Sequence, residues 1–491
     1  MNRRDFVRLG WATVIGAGAG KLRPAFAESL ALQHVLAPQQ QMAMSEPKAA
    51  GRAADFTLRI VPTLVELAPR VVISTIGYNS KVPGPLMRMR EGQPVTVDVV
   101  NDTDVPEYVH WHGLFVPPEV DGAEEEGTPP VSPHGRRRYQ FVAKPAGSRW
   151  YHSHTAAMMD LQRGAYTGQF GFLMIDSGND PGLYDQEVFV ALRDWQPYLS
   201  TMDQDEAADP HDPMPEKPAP PDPRPNGLEV GAPLYSINDK MLGAGDPLRV
   251  QPGQRILMRL LNASASQIHR VALPAHKFQV IALDGNPVPS PQLVSVIEIA
   301  PGERVDTIVE MNQPGVWILG ELRDVARTSG MGIVVEYANQ RQQRPIWLPP
   351  PSARWDYTIF GKSAPHSAPD QTIDMVFEKV PGGPHGINHW LVNGKEYPHE
   401  QEFVLRQGRR YRLVFHNRSD DSHPLHMHRH LFELVELNGK PTAGIKKDTV
   451  IVPAFGRASV DLIADQPGLT LFHCHIQQHM DFGFKALFRY A

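Results

Sequence analysis

Apolar and polar side chains alternate along much of the chain. In VTVDVV (95–100) and IVVEY (333–337) every second position is aliphatic or aromatic, the period of a strand with one buried face. Such runs are short and separated by turn-rich joints, in keeping with the high counts of 47 Pro and 40 Gly. The pattern predicts an all-β protein of antiparallel, Greek-key β-sandwiches. A length of 491 residues suggests two to four domains.

Self-similarity narrows that number to three. MREGQPVTVDVVNDT (89–103), VQPGQRILMRLLNAS (250–264) and LRQGRRYRLVFHNRS (405–419) each place a glycine before an alternating run that ends in Asn. A second element recurs as PAGSRWYHSH (145–154), QPGVWILGEL (313–322) and QPGLTLFHCH (466–475). Five residues after its glycine the first unit has His152, the middle one Gly320 and the last His473. Three units share one plan, and the middle one lacks the histidines. The expected domains are 52–180, 181–345 and 346–491, preceded by a leader over 28–51. The proline-rich stretch 209–227 reads as an extended surface loop.

The N-terminus carries Arg3-Arg4, a weakly apolar run from Leu9 to Gly20 and a small-x-small site at Ala25-Phe26-Ala27. These features resemble a twin-arginine export signal over 1–27, which implies the twin-arginine machinery as a partner and a periplasmic location. Loss of that segment would leave 43 basic against 53 acidic residues, a net charge of −10. Nucleic acid and anionic membranes are poor partners for such a chain. No later apolar run is long enough for stable membrane insertion.

The lone cysteine, Cys474, cannot form an internal disulfide, and a free thiol in an oxidising compartment calls for something to hold it. Histidine pairs say what. HWHG holds His110 and His112, and HSH holds His152 and His154. HPLHMH holds His423, His426 and His428, and HCHIQQH holds His473, His475 and His479. On a strand each H-x-H presents two imidazoles on one side, while Cys474 points opposite to its neighbours. Neutral imidazole and thiolate suit copper. Structural zinc is the alternative, but zinc has no redox use for a thiol that bridges two sites.

In this order the four motifs resemble the copper signatures of the multicopper oxidases. The resemblance spans all three units and implies cupredoxin-like domains with four copper ions. Type 1 copper would take His423, Cys474 and His479, and type 2 copper His110 and His426. The type 3 pair would take His112, His152 and His475, and His154, His428 and His473. The implied reaction oxidises phenols or aromatic amines one electron at a time and reduces O2 to water. Cys474 carries the electrons, and Asp121 of HWHGLFVPPEVDG is the acid beside the type 2 copper.

Phe484 stands where relatives with an axial methionine have it, so the type 1 site lacks a fourth donor and favours a laccase-like oxidant. Met480 replaces an acid found in some bacterial relatives. The acids Glu124, Glu125 and Glu126 read as a solvated loop. A cuprous oxidase for copper tolerance would share every copper motif, but here the 17 Met are scattered, with Met158-Met159 the one adjacent pair. A non-enzymatic scaffold would have lost ligands, and this chain keeps them.

Overall fold

The protein is described by a computed structural model over residues 53–178, 182–201, 227–340, 343–351, 355–399 and 402–491. The expected signal (1–27), the leader (28–51) and nearly all of the proline-rich stretch lie outside the described residues.

The N-terminal repeat forms two four-stranded sheets. One has the order Val71–Tyr78, Phe56–Ala68, Pro94–Asn101, Arg136–Val142, and the other Met87–Arg90, Phe170–Asp176, Gly147–Ser153, Val109–His110. Each later repeat forms a six-stranded and a five-stranded sheet, in the same strand order in both. The alternating runs bury one face: Val95, Val97 and Val99 are all core residues.

The ladders are not purely antiparallel. Phe56–Ala68 runs parallel to Pro94–Asn101, Gln186–Trp195 to Arg255–Asn262 and Gln371–Val380 to Arg410–Asn417. In each case the chain crosses to the other sheet before returning, so the two strands meet in the same direction.

The shared plan is visible atom by atom. The repeated glycines Gly92, Gly253 and Gly408 adopt φ of 76°, 81° and 80°, a left-handed turn that glycine enters freely. The strand-ending asparagines Asn101, Asn262 and Asn417 each accept the N–H two residues on at 2.9, 2.9 and 3.0 Å, closing an Asx turn. One core lies within the N-terminal unit, and a larger one runs through the middle and C-terminal units and includes Cys474 and Phe484. Among the described residues no helix is long and apolar enough to cross a membrane.

Candidate metal centre

In all four H-x-H motifs the regular strand ends just short of the second histidine: at His110, Ser153, Met427 and Cys474. The chain stays extended enough for both rings to share a side. Ring centroids in the four pairs are 5.5, 6.1, 5.0 and 5.5 Å apart. Across the two units His112 stacks on His426 at 3.8 Å and His110 on His428 at 3.9 Å. The N-terminal and C-terminal pairs therefore meet in one buried cluster.

Hydrogen bonds on the outer nitrogens fix the tautomers, because a carbonyl oxygen can only accept. Nδ1 of His110 donates to Asp121 O (2.9 Å), and Nδ1 of His152 to Ser153 O (2.9 Å). Nδ1 of His426 donates to Asp448 O (2.7 Å), and Nδ1 of His473 to Cys474 O (2.8 Å). Each Nε2 lone pair then points inward. His112 is reversed, with Nε2 on Asp448 Oδ1 at 3.0 Å. The Nε2 atoms of His110, His152, His426 and His475, Nδ1 of His112 and both nitrogens of His154 are buried without a hydrogen-bond partner. Orphaned inward lone pairs at this density are what bound cations would satisfy.

The groupings follow the expected sets in part. His154, His428 and His473 bring donor atoms within 4.8 Å of one another, as do His110, His426 and His428. The ring of His475 lies 5.1 Å from that of His112 and 5.2 Å from that of His152. Burial drives the pKa of His112, His152, His154, His428, His473 and His475 well below the ordinary value and that of His426 to about 4, so these rings are neutral, the form in which imidazole can bind a metal.

Two glycines are required by this crowding. A Cβ on Gly122 (φ 100°) would lie 2.0 Å from Val109 O, behind His110. One on Gly302 (φ 89°), from the middle unit, would lie 2.7 Å from the His475 ring.

On the opposite side of the Thr470–Cys474 strand, Cys474 Sγ lies 3.7 Å from His423 Nδ1 and 3.6 Å from His479 Nδ1, with 3.3 Å between the two nitrogens. A point about 2 Å from all three atoms sits inside this triangle, a metal–nitrogen bond length. Burial pushes the Cys474 thiol well up, so a thiolate there needs a cation in contact. Phe484 packs its ring 4.8 Å from that of His423 and offers no donor, while Trp390 lies 4.1 Å from the His479 ring.

Asp121 closes the short helix Pro118–Asp121 and sets Oδ2 2.7 Å from His428 Nδ1 and 3.2 Å from His110 Nδ1, touching a ring from each of the two units that build the cluster. The three glutamates do not form a solvated loop. Glu124 is exposed, but Glu125 accepts from Lys485 at 2.6 Å and Glu126 is buried, accepting the Leu471 N–H at 2.7 Å. Their partners come from the C-terminal unit, out of sight in a local run of acids. Burial and the Asp121 carboxylate push the Glu126 carboxyl well up.

Other residues carry no mark in the motifs. Asp448 is gripped by Arg304 of the middle unit at 2.8 Å, and Asp481 accepts the Ala157 and Met158 N–H groups at 3.0 and 2.8 Å. Glu229 Oε2 lies 3.4 Å from His479 Nε2, the outward edge of the mononuclear site.

Family models described as multicopper oxidase match residues 63–180, 186–335 and 368–491. The chain is 30% identical over 444 residues to multicopper oxidase MmcO of Mycobacterium tuberculosis, covering 87% of this chain and 85% of that protein. It is 24% identical to a copper resistance protein A homolog of Pseudomonas syringae pv. tomato, over 87% of this chain and 91% of that one. Its fold is similar to that of a laccase from Botrytis aclada, with a TM-score of 0.69 at 21% identity, covering 88% of this chain and 87% of the other.

Proposed function

The chain belongs to the multicopper oxidase family, and we propose that it is a laccase-like member, oxidising phenols and aromatic amines at the expense of O2. The observation that carries this reading is the mononuclear triangle of His423, Cys474 and His479 with Phe484, not a donor, packed beside it. Losing an axial thioether raises the potential of such a site.

The donor set fits the family's metals. His423, Cys474 and His479 would hold type 1 copper, and His110 and His426 type 2. His112, His152 and His475 would hold one type 3 ion, and His154, His428 and His473 the other. Bound there, copper supplies one-electron oxidation at the mononuclear site and four stored electrons for converting O2 to two waters.

Every other contribution comes from the chain. Cys474 is joined through single peptide bonds to His473 and His475, and its carbonyl also accepts the His473 Nδ1–H at 2.8 Å, a short covalent path between the two centres. Glu229 Oε2, at the His479 edge, is within reach of the proton a phenol or arylamine releases on oxidation. Asp121 orients His110 and His428 through Oδ2, and Glu126 behind it, its carboxyl pushed well up by burial, is a proton donor for the buried space where oxygen would be reduced. Buried Trp150, stacked on His152 at 4.1 Å, helps keep water out. The Arg3-Arg4 segment supports export by the twin-arginine route to the periplasm.

One observation favours oxidation of Cu(I) instead. Met158 and Met159 are 49% and 42% exposed, and the Met158 N–H is held by Asp481, two residues from His479. Thioethers at that position would suit a soft cation. Steady-state oxidation of a phenol, an arylamine and Cu(I), each with and without added copper, separates the readings. Phenol turnover without added copper is expected. Turnover of Cu(I) alone would overturn the laccase-like assignment.

A further inference from the structure

The middle unit repeats the architecture of the mononuclear site residue for residue. Its strand His269–Ala272 corresponds to His423–Met427, its strand Val316–Glu321 to Thr470–Cys474, and its helix Asp324–Thr328 to Gln477–Asp481. Val271 pairs with Glu321 as Leu425 pairs with Cys474, so Glu321 occupies the cysteine position. His269, two residues before Val271, stands where His423 stands before Leu425.

The loop after the strand matches too. Glu321 N–H donates to Met331 O at 3.1 Å, and Cys474 N–H to Phe484 O at 3.1 Å. Met331 N–H donates to Ala326 O at 3.0 Å, and Phe484 N–H to His479 O at 2.9 Å. Ala326 is thus the counterpart of His479, and Met331 of Phe484. The serine behind the histidine is kept as well: Ser264 Oγ lies 3.0 Å from His269 Nε2, and Ser419 Oγ 2.7 Å from His423 Nε2.

What differs is the centre. His423 Nδ1 faces a sulfur 3.7 Å away, a gap an ion can span, whereas His269 Nδ1 lies 2.8 Å from Glu321 Oε2. Both side chains are buried, and the carboxylate also accepts the Arg270 N–H at 3.2 Å and the Leu322 N–H at 3.1 Å. A buried charge held by that many donors is stable without a metal.

We propose that the middle unit retains the mononuclear metal pocket in latent form, with the hydrogen-bonded His269–Glu321 pair in the metal's place. Two side chains, Glu321 and Ala326, separate it from a site for a thiolate-seeking ion such as copper or cobalt. His269 is already present, and Met331 occupies the axial position that Phe484 fills without a donor in the C-terminal unit. The inference rests on His423, Cys474 and His479 holding a metal, which the thiolate absorption of the unsubstituted chain tests separately.

The experiment uses the full chain carrying Cys474→Ser, so that its native thiolate is silent, with Glu321→Cys and Ala326→His added together. Titration with Co(II) and with Cu(II) should give one extra metal per chain over the Cys474→Ser parent and a thiolate-to-metal absorption that parent lacks. Should the combined variant not fold, Glu321→Cys alone in the same background is read by melting, which added Co(II) should raise. No metal uptake beyond the parent's in either variant overturns the proposal. So does failure of both to fold, because a latent pocket accepts these side chains.

Discussion

Asp448 Oδ1 lies 3.0 Å from His112 Nε2, although 336 positions separate the two residues. The bond holds His112 in the opposite tautomer to His110, His152, His426 and His473, so that it faces the cluster through Nδ1. Arg304, from the middle unit, anchors the carboxylate. The middle unit therefore takes part in the histidine cluster by orienting the groups around it.

Asp448→Asn should loosen that orientation while leaving the mononuclear triangle intact. Outer partners of metal ligands are worth about 10–100-fold in affinity. Copper content should fall at the cluster, with the thiolate absorption retained; metal analysis alongside the visible spectrum reads both.

Arg304→Met leaves Asp448 buried with a weaker counter-charge, Arg149 at 3.5 Å. Breaking a buried pair costs about 3–5 kcal/mol. Denaturant unfolding of the copper-free variant should shift by that order, and an unchanged midpoint would show that Arg149 suffices.

Phe484→Met restores a thioether beside His423. The mononuclear site should stay blue, its reduction potential should fall and phenol oxidation should slow. Redox titration followed by absorbance measures the potential directly.

Glu321 gives a pH-dependent test of the middle unit. Burial works to raise its pKa, but the His269 hydrogen bond and nearby positive charge outweigh it and hold the carboxyl below its ordinary 4.5. The stability it contributes is present above pH 4.5 and lost as pH falls through the lower folded value. Glu321→Gln should melt below the parent at neutral pH, and the gap should narrow in acid.

The histidine cluster was legible because extended chain turns an H-x-H spacing into a pair of rings on one side, whatever the tertiary context. The three sandwiches were legible because the repeats carry their turn glycines and capping asparagines in sequence. Glu126 was not, since a run of three acids reads as solvated until the Leu471 N–H arrives from 345 positions away. Arg304 and Asp448 were hidden for the same reason: each is costly to bury alone, and only the folded chain supplies its partner. His269 carries no signal in sequence, because it belongs to no H-x-H pair and its partner Glu321 lies 52 positions away.

On the proposed function, ten imidazoles and one thiolate hold a mononuclear and a three-metal centre. Copper analysis with electron paramagnetic resonance, on the copper-loaded chain and its Cys474→Ser variant, tests it most directly. Four coppers per chain are expected, with the blue mononuclear signal lost in the variant while the other three ions stay bound. A chain that binds no copper, or a variant that keeps the blue signal, would contradict it.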